Sequence, residues 1–158
     1  MVDLNMSLRE RICSEMKTAM KAKDTARLST LRLINAAIKD RDIAARAEDR
    51  CTGCEETEIL AILQKLVKQR EESAETYEKA GRFDLAESER QEAEIVREYL
   101  PTPMNDGEIA EAAKSVVVEL GASGLKDMGK VMGELKTRYT GRMDFGKAGA
   151  NLKVLLTA

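Results

Sequence analysis

The sequence contains no histidine and no tryptophan, and its 158 residues include only two prolines, three cysteines and 3% aromatic residues. Without histidine, the commonest general base of enzymes and the commonest metal ligand are both missing. No apolar run approaches the 18 residues of a membrane-spanning helix, and the polar and acidic first residues predict no secretory signal. Three cysteines in a chain without such a signal predict a reducing, cytoplasmic location.

Two of the cysteines form the sequence CTGC, Cys51 to Cys54, directly before a predicted helix. This spacing at a helix N-terminus can support redox chemistry, but the oxidoreductase motif follows a strand that the sequence does not offer. A zinc site needs about four ligands, and only Cys13 could join the pair. We therefore expect a polar loop with two incidental thiols, and no metal or cofactor. The pattern leaves the role of Cys51 and Cys54 open.

Charged residues make up 34% of the chain, and its apolar residues recur at helical rather than strand intervals. This composition predicts an all-α protein. The net charge of −2 does not by itself indicate a nucleic-acid partner. The charge is unevenly distributed, because residues 7–38 and 124–158 are mainly basic whereas residues 71–98 are mainly acidic.

Capping residues and apolar periodicity predict seven helices. The sequence LPTPM interrupts them with two prolines, which predicts a domain boundary. We expect an N-terminal four-helix domain at residues 1–100, a linker at 101–104 and a C-terminal three-helix tail domain at 105–158. Among the side chains predicted to face inward are Met20 in the first helix and Leu155 in the last.

The predicted sixth helix, in LKDMGKVMGELKTRYTGRMD, carries glycine at positions 129 and 133, on one face. Glycine in a helix interior is less favourable than alanine by about 1 kcal/mol, so a compensating close contact is expected. Lys126, Lys130 and Lys136 surround the glycines. Either a neighbouring helix packs tightly against this face, or a phosphate backbone approaches it. The inward stripe of the same helix is predicted to be Leu125, Met128, Met132 and Leu135.

A second basic group lies in the first three predicted helices. These cations could form a positive patch if the three helices pack together, or they could be solvated charges balanced by nearby acids. The members of this group are Lys21, Lys23, Arg27, Arg32, Lys65, Lys68 and Arg70.

Three blocks of the sequence closely resemble the YqeY proteins. The blocks are MSLRERICSEMKTAMKAKDTARLSTLRLINAAIK, LQKLVKQREESAETYEKAGRFDLAESERQEAEIVREYLP and GLKDMGKVMGELKTRYTGRMD. YqeY proteins are stand-alone relatives of the C-terminal region of GatB, the B subunit of the glutamine-dependent aminoacyl-tRNA amidotransferase. The resemblance extends from Met6 to Leu156 and implies an all-helical fold with a small C-terminal tail domain.

The resemblance also implies a function. The tail domain of GatB is implicated in holding tRNA during transamidation, and its matching motif here is KDMGKVMG. GatB's catalytic region has no counterpart in this chain, so no catalytic residue is expected, and the CTGC loop departs from the family pattern. The residues that we expect to bind RNA are Lys126, Gly129, Lys130, Gly133, Lys136 and Arg142.

We therefore expect a cytoplasmic, non-catalytic helical module that binds tRNA or other structured RNA through its backbone. Base-specific readout is not expected, because the basic segments lack aromatic residues for stacking. Two alternatives stay open. The chain could be an accessory component of a glutamine-dependent amidotransferase, a carbon–nitrogen ligase with glutamine as amido-N-donor, acting with its subunits or with another tRNA-related enzyme. It could instead be a protein-interaction adaptor that docks through its acidic fourth helix.

Overall fold

The computed structural model describes residues 5–50 and 52–157, and these residues form α-helices and one short 3₁₀ turn without any strand. The all-α prediction is confirmed. The helices are α1 (Leu8–Lys21), α2 (Thr25–Ala47), α3 (Glu56–Lys79), α4 (Phe83–Arg97), α5 (Asp106–Leu120), α6 (Met128–Tyr139) and α7 (Phe145–Thr157), and the 3₁₀ turn is Leu125–Asp127. The internal contacts divide the chain into two compact units, residues 1–100 and 101–158. We call them the N-terminal unit and the C-terminal unit.

Local capping residues fix where the helices begin. The Ser7 hydroxyl accepts from the Glu10 N–H at 3.2 Å while the Glu10 carboxylate accepts from the Ser7 N–H at 2.9 Å. Asn105 and Glu108 form the same reciprocal pair before α5, with both bonds at 2.9 Å. Asp24 caps α2 by accepting from the Arg27 N–H at 3.2 Å. Since each cap satisfies N–H groups that the first helical turn leaves free, these starts follow from short sequence motifs.

The described residues of the N-terminal unit build an apolar core. The acidic α4 is joined to α3 by ion pairs across their interface. Arg70 lies 3.3 Å from Glu89, and Arg90 lies 2.7 Å from Glu78. Met20, predicted to face inward, is 55% exposed, whereas Ala19 belongs to the core. At about 100° per residue, Ala19 lies within about 20° of Ile12 but Met20 lies about 80° away from it. The largest buried side chains of the core are Ile12, Leu31, Ile34, Ile38, Leu63 and Val96.

The C-terminal unit builds a second core from α5, α6 and α7. Leu155, predicted to face inward, is 37% exposed, and the next residue, Leu156, is buried instead. The inward stripe of α7 advances by four residues from Ala148 through Leu152, which leads to Leu156. No helix in the described part of the chain is apolar over enough of its length to cross a membrane. The largest buried side chains of this core are Ile109, Val116, Val131, Leu135, Met143 and Leu152.

Candidate nucleic-acid interface

The two glycines of the predicted sixth helix have different positions in the structure. A 3₁₀ turn occupies Leu125–Asp127, and α6 begins only at Met128. The Asp127 carboxylate holds this turn by accepting from the Ser123 N–H at 3.0 Å. Gly129 therefore lies in the first turn of α6, and Gly133 alone is in the helix interior.

The inward face of α6 also differs from the predicted stripe. Val131 and Leu135 are fully buried, whereas Leu125 is 52% exposed. The predicted stripe assumed one continuous α-helix from Leu125, but a 3₁₀ turn has about three residues per turn and so shifts the phase before Met128. Because of this shift, Leu125 leaves the apolar face. Met128 and Met132 of the predicted stripe still pack against the core, and Val131 joins it because it lies one turn before Leu135 within α6.

No neighbouring helix packs against the glycines. Apart from its chain neighbours and the backbone of its own helix, a Cβ added to Gly129 or Gly133 would meet no described atom within 4 Å, and both residues are exposed. The helix-packing interpretation of these two glycines is therefore wrong as far as the described residues are concerned. The glycine that faces a neighbouring helix is Gly149 of α7, where an added Cβ would make ordinary van der Waals contact with the methyl carbons of Met132, at 3.5 Å, and Met128, at 3.9 Å. Gly149 lies between the buried Ala148 and the buried Leu152 of α7. This position beside the inward stripe could have identified it from the sequence as a residue near another helix.

The cations around the glycines are exposed and uncompensated. Lys126, Lys130 and Lys136 make no ion pair with any residue that the structure describes. At about 100° per residue, Gly129, Gly133 and Lys136 fall within about 60° of one another on α6, and Lys130 lies about 60° beyond Gly133 on one side of this sector. Lys126 lies in the turn that leads into it. We call these five residues the glycine face.

Arg138, on the same helix, shows the contrast. Its guanidinium lies 2.7 Å from Glu119 and 2.8 Å from Glu134, and these hydrogen bonds raise its pKa above the ordinary arginine value. Within α6, the arginine is therefore paired with carboxylates while the lysines of the glycine face remain free to meet an anion from outside.

Arg142, the sixth predicted RNA-binding residue, is not on α6. It lies in the connection to α7, where its Nε donates to the Thr102 carbonyl at 3.3 Å. Its own carbonyl accepts from the Met104 N–H at 2.9 Å. Arg142 therefore ties residues 102–104 to the connection between α6 and α7 within the C-terminal unit, a role that the sequence pattern did not predict.

The second basic group is partly neutralised. Arg27 makes two hydrogen bonds to Glu98, at 2.7 and 2.9 Å, and they raise the Arg27 pKa. Arg70 lies 3.2 Å from Glu92. These two arginines contribute little net positive charge to the surface. The remaining five members are exposed without an ion pair to the described residues, and they are Lys21, Lys23, Arg32, Lys65 and Lys68.

Comparison with known proteins decides the relationship suggested by the three sequence blocks. A family model described as "Yqey-like protein" matches residues 9–156. The chain belongs to the YqeY family. It is 35% identical over 111 residues to "Altered inheritance of mitochondria protein 41, mitochondrial" of Clavispora lusitaniae, a match covering 69% of this chain and 62% of that protein. The protein of the same name from Lachancea thermotolerans is 37% identical over 86 residues, covering 54% and 44% respectively. The match thus spans less than two thirds of either relative.

These YqeY-type relatives are named as mitochondrial proteins, as is that of Pyrenophora tritici-repentis, which is 29% identical over 135 residues covering 84% of this chain. The finding contradicts the cytoplasmic location predicted from the cysteine content, and that prediction is wrong. The physical reason is that scarce, unpaired cysteines argue against an oxidising compartment but do not distinguish among compartments that keep thiols reduced.

Cys54 of this YqeY-family chain does not lie in an incidental polar loop. It is 7% exposed and belongs to the core of the N-terminal unit, and its N–H donates to the Asp42 carboxylate at 2.9 Å. Arg9 lies 2.7 Å from the same carboxylate. Burial raises the pKa of the Cys54 thiol, which disfavours the reactive thiolate. Cys51 lies outside the described residues, and no group of three possible ligands in the described ranges could hold a metal ion.

Proposed function

We propose that the glycine face binds tRNA or another structured RNA through the phosphate–ribose backbone, without catalysis by this chain. The observation that carries this proposal is the open space beside Gly129 and Gly133 next to three exposed lysines that make no ion pair with a described residue. A Cβ at either glycine would pack against no side chain among the residues that the structure describes, and the absence of side chains permits an RNA backbone to approach the helix closely. The resemblance of KDMGKVMG to the tail motif of GatB supports tRNA as the RNA to test first.

The chemistry of the glycine face favours non-specific recognition. A lysine ammonium is a point charge that attracts phosphate without reading sequence, and each neutralised phosphate releases counterions. The face carries no aromatic side chain on which a base could stack. We therefore expect affinity to fall steeply with salt and to vary little with RNA sequence.

A salt-titrated anisotropy assay with a labelled tRNA and the full chain tests the lysines. Replacing Lys126 and Lys130 with Ala should weaken binding and reduce the salt slope by about 1 for each phosphate that is no longer neutralised. The matched control replaces Lys114 and Lys153, which are exposed and unpaired on α5 and α7, and so changes the net charge of the unit by the same amount. Equal loss of affinity in both variants contradicts a localised face.

The glycines are tested in the same assay. Replacing Gly129 and Gly133 with Ala should lower tRNA affinity while leaving the thermal midpoint unchanged or higher, because the methyl groups obstruct an RNA backbone but no part of the described chain. Unaltered tRNA affinity, or a lower midpoint, contradicts the proposal.

A further inference from the structure

The outward face of α2 carries an apolar strip that no described element covers. The residues of this strip follow one another at alternating spacings of three and four, which is the repeat of the contact positions in a helix pair. They are Leu33, Ala36, Asp40, Ile43 and Ala47. All five are exposed, and Ile43 is 64% exposed. The inward side of the same helix is occupied separately by Leu31, Ile34 and Ile38. α2 is therefore apolar on two opposite sides, and only one side has a partner within the chain.

A row of cations runs along one edge of this strip. Arg32, Lys39 and Arg46 recur every seven residues, are exposed, and make no ion pair with the described part of the chain. Other arginines of α2 are paired, since Arg27 meets Glu98 and Arg41 meets Glu58. The unpaired charges thus lie beside the uncovered strip, where they would flank a docked helix.

We infer that the outward face of α2 docks an amphipathic helix of a partner protein, with acidic residues facing Arg32, Lys39 and Arg46. The alanines of the strip allow a helix axis to approach closely, and Leu33 and Ile43 supply the larger apolar contacts. Asp40, within the strip, favours a basic or amide side chain opposite it and would fix the register. The strip spans about 21 Å, so a partner helix of about 15 to 20 residues would cover it.

Other occupants fit less well. In an antiparallel pair with a second copy, Lys39 would oppose its own equivalent and Arg32 would oppose Arg46, which places like charges together. A parallel second copy would set the cations against Ala37 and Ala44, leaving the charges unpaired. A lipid surface needs larger apolar side chains than this alanine-rich strip provides. The inference concerns the N-terminal unit and does not depend on the proposed RNA binding.

The test uses the full chain, labelled with ¹⁵N, and two synthetic 21-residue helical peptides. Both carry a Leu/Ala seam with one Lys placed to face Asp40, but one has Glu and the other Lys at the flanking positions. We expect the acidic peptide to shift the amide signals of the outward face of α2 and to bind at least about tenfold more tightly than the basic peptide. Equal binding of the two peptides, or shifts confined to other helices, would overturn the inference.

Variants locate the docking surface. Ala36→Gln places a larger side chain in the strip, and glutamine keeps a high helix propensity. A triple change of Arg32, Lys39 and Arg46 to Gln removes the row of cations. Each should weaken binding of the acidic peptide about tenfold with an unchanged thermal midpoint. The matched control changes Lys17, Lys65 and Lys68 to Gln, all exposed and unpaired in the same unit. Loss of binding in the control alone would contradict the assigned docking surface. A protein helix as the occupant would be contradicted by self-association through α2, or by displacement of the peptide by tRNA or anionic vesicles.

Discussion

At the scale of single residues, Gly133 is the least explained by the fold of this chain. It lies inside α6, where glycine is less favourable than alanine, yet no described atom would touch its Cβ. A position that lowers helix stability without improving internal packing is typical of a surface shaped for an external partner. The same reasoning applies less strongly to Gly129, because it lies in the first turn, where the helix is less regular.

Replacing Gly133 with Ala should raise the free energy of unfolding of the C-terminal unit by up to about 1 kcal/mol. Gly121 provides the matched control, because an added Cβ there also meets no described atom but its φ is +61°. Gly121→Ala should destabilise the unit by about 1 to 2 kcal/mol through backbone strain alone. Urea unfolding of both variants measures the two effects. A destabilising Gly133→Ala would show that the glycine is needed by the fold itself.

At the scale of secondary-structure elements, Glu58 joins the end of α2 to the start of α3. Its carboxylate accepts from Arg41 at 2.6 Å, from Arg50 at 2.8 Å and from the Glu55 N–H at 2.7 Å. These interactions, led by the hydrogen bond from Arg50, lower the Glu58 pKa from 4.5 to about 2. The carboxylate therefore stabilises the folded state in its charged form.

The sign of the pH dependence follows from this lowered pKa. Since the folded pKa lies below the unfolded value, the stabilisation is present above about pH 4.5 and is lost as the pH falls towards 2. Amide-exchange protection of α3, measured across this range, should decrease with falling pH in the parent chain. It should start lower and change less in Glu58→Gln. Glu75→Gln, at an exposed α3 position without an ion pair, should follow the parent. Parallel curves for the parent and Glu58→Gln would contradict this assignment.

Elements whose determinants are local could be predicted from the sequence. The capping boxes at Ser7 and Asn105 fixed two helix starts because each motif is complete within four residues. The exposure of Leu125 could not be predicted, because the 3₁₀ turn that contains it depends on how Ser123 and Asp127 meet. Contacts between distant residues were also beyond the sequence pattern, as the bond from Arg142 to Thr102 and the burial of Cys54 show.

At the scale of the whole chain, the acidic and the basic segments differ in how many of their charges form ion pairs within the chain. Much of the acidic middle is used internally, since glutamates of the α3–α4 hairpin pair with Arg70, Arg90 and Arg97. The cations without ion pairs among the described residues include those on the outward face of α2 and on the glycine face of α6. On these two surfaces, unpaired cations lie beside exposed glycines or exposed apolar side chains.

The linker at residues 101–104 leads to a prediction about proteolysis of the whole chain. Pro101, Thr102 and Pro103 are exposed and outside any helix, so proteinase K should cleave the folded chain first within residues 100–104. Because Arg142 donates to the Thr102 carbonyl, Arg142→Ala should speed this cleavage, whereas Lys153→Ala should not. Mass spectrometry of the early fragments measures both the site and the rate. Cleavage that starts between α2 and α3 would mean that residues 101–104 are not the most accessible connection. A cleavage rate unaffected by Arg142→Ala would mean that Arg142 does not hold these residues.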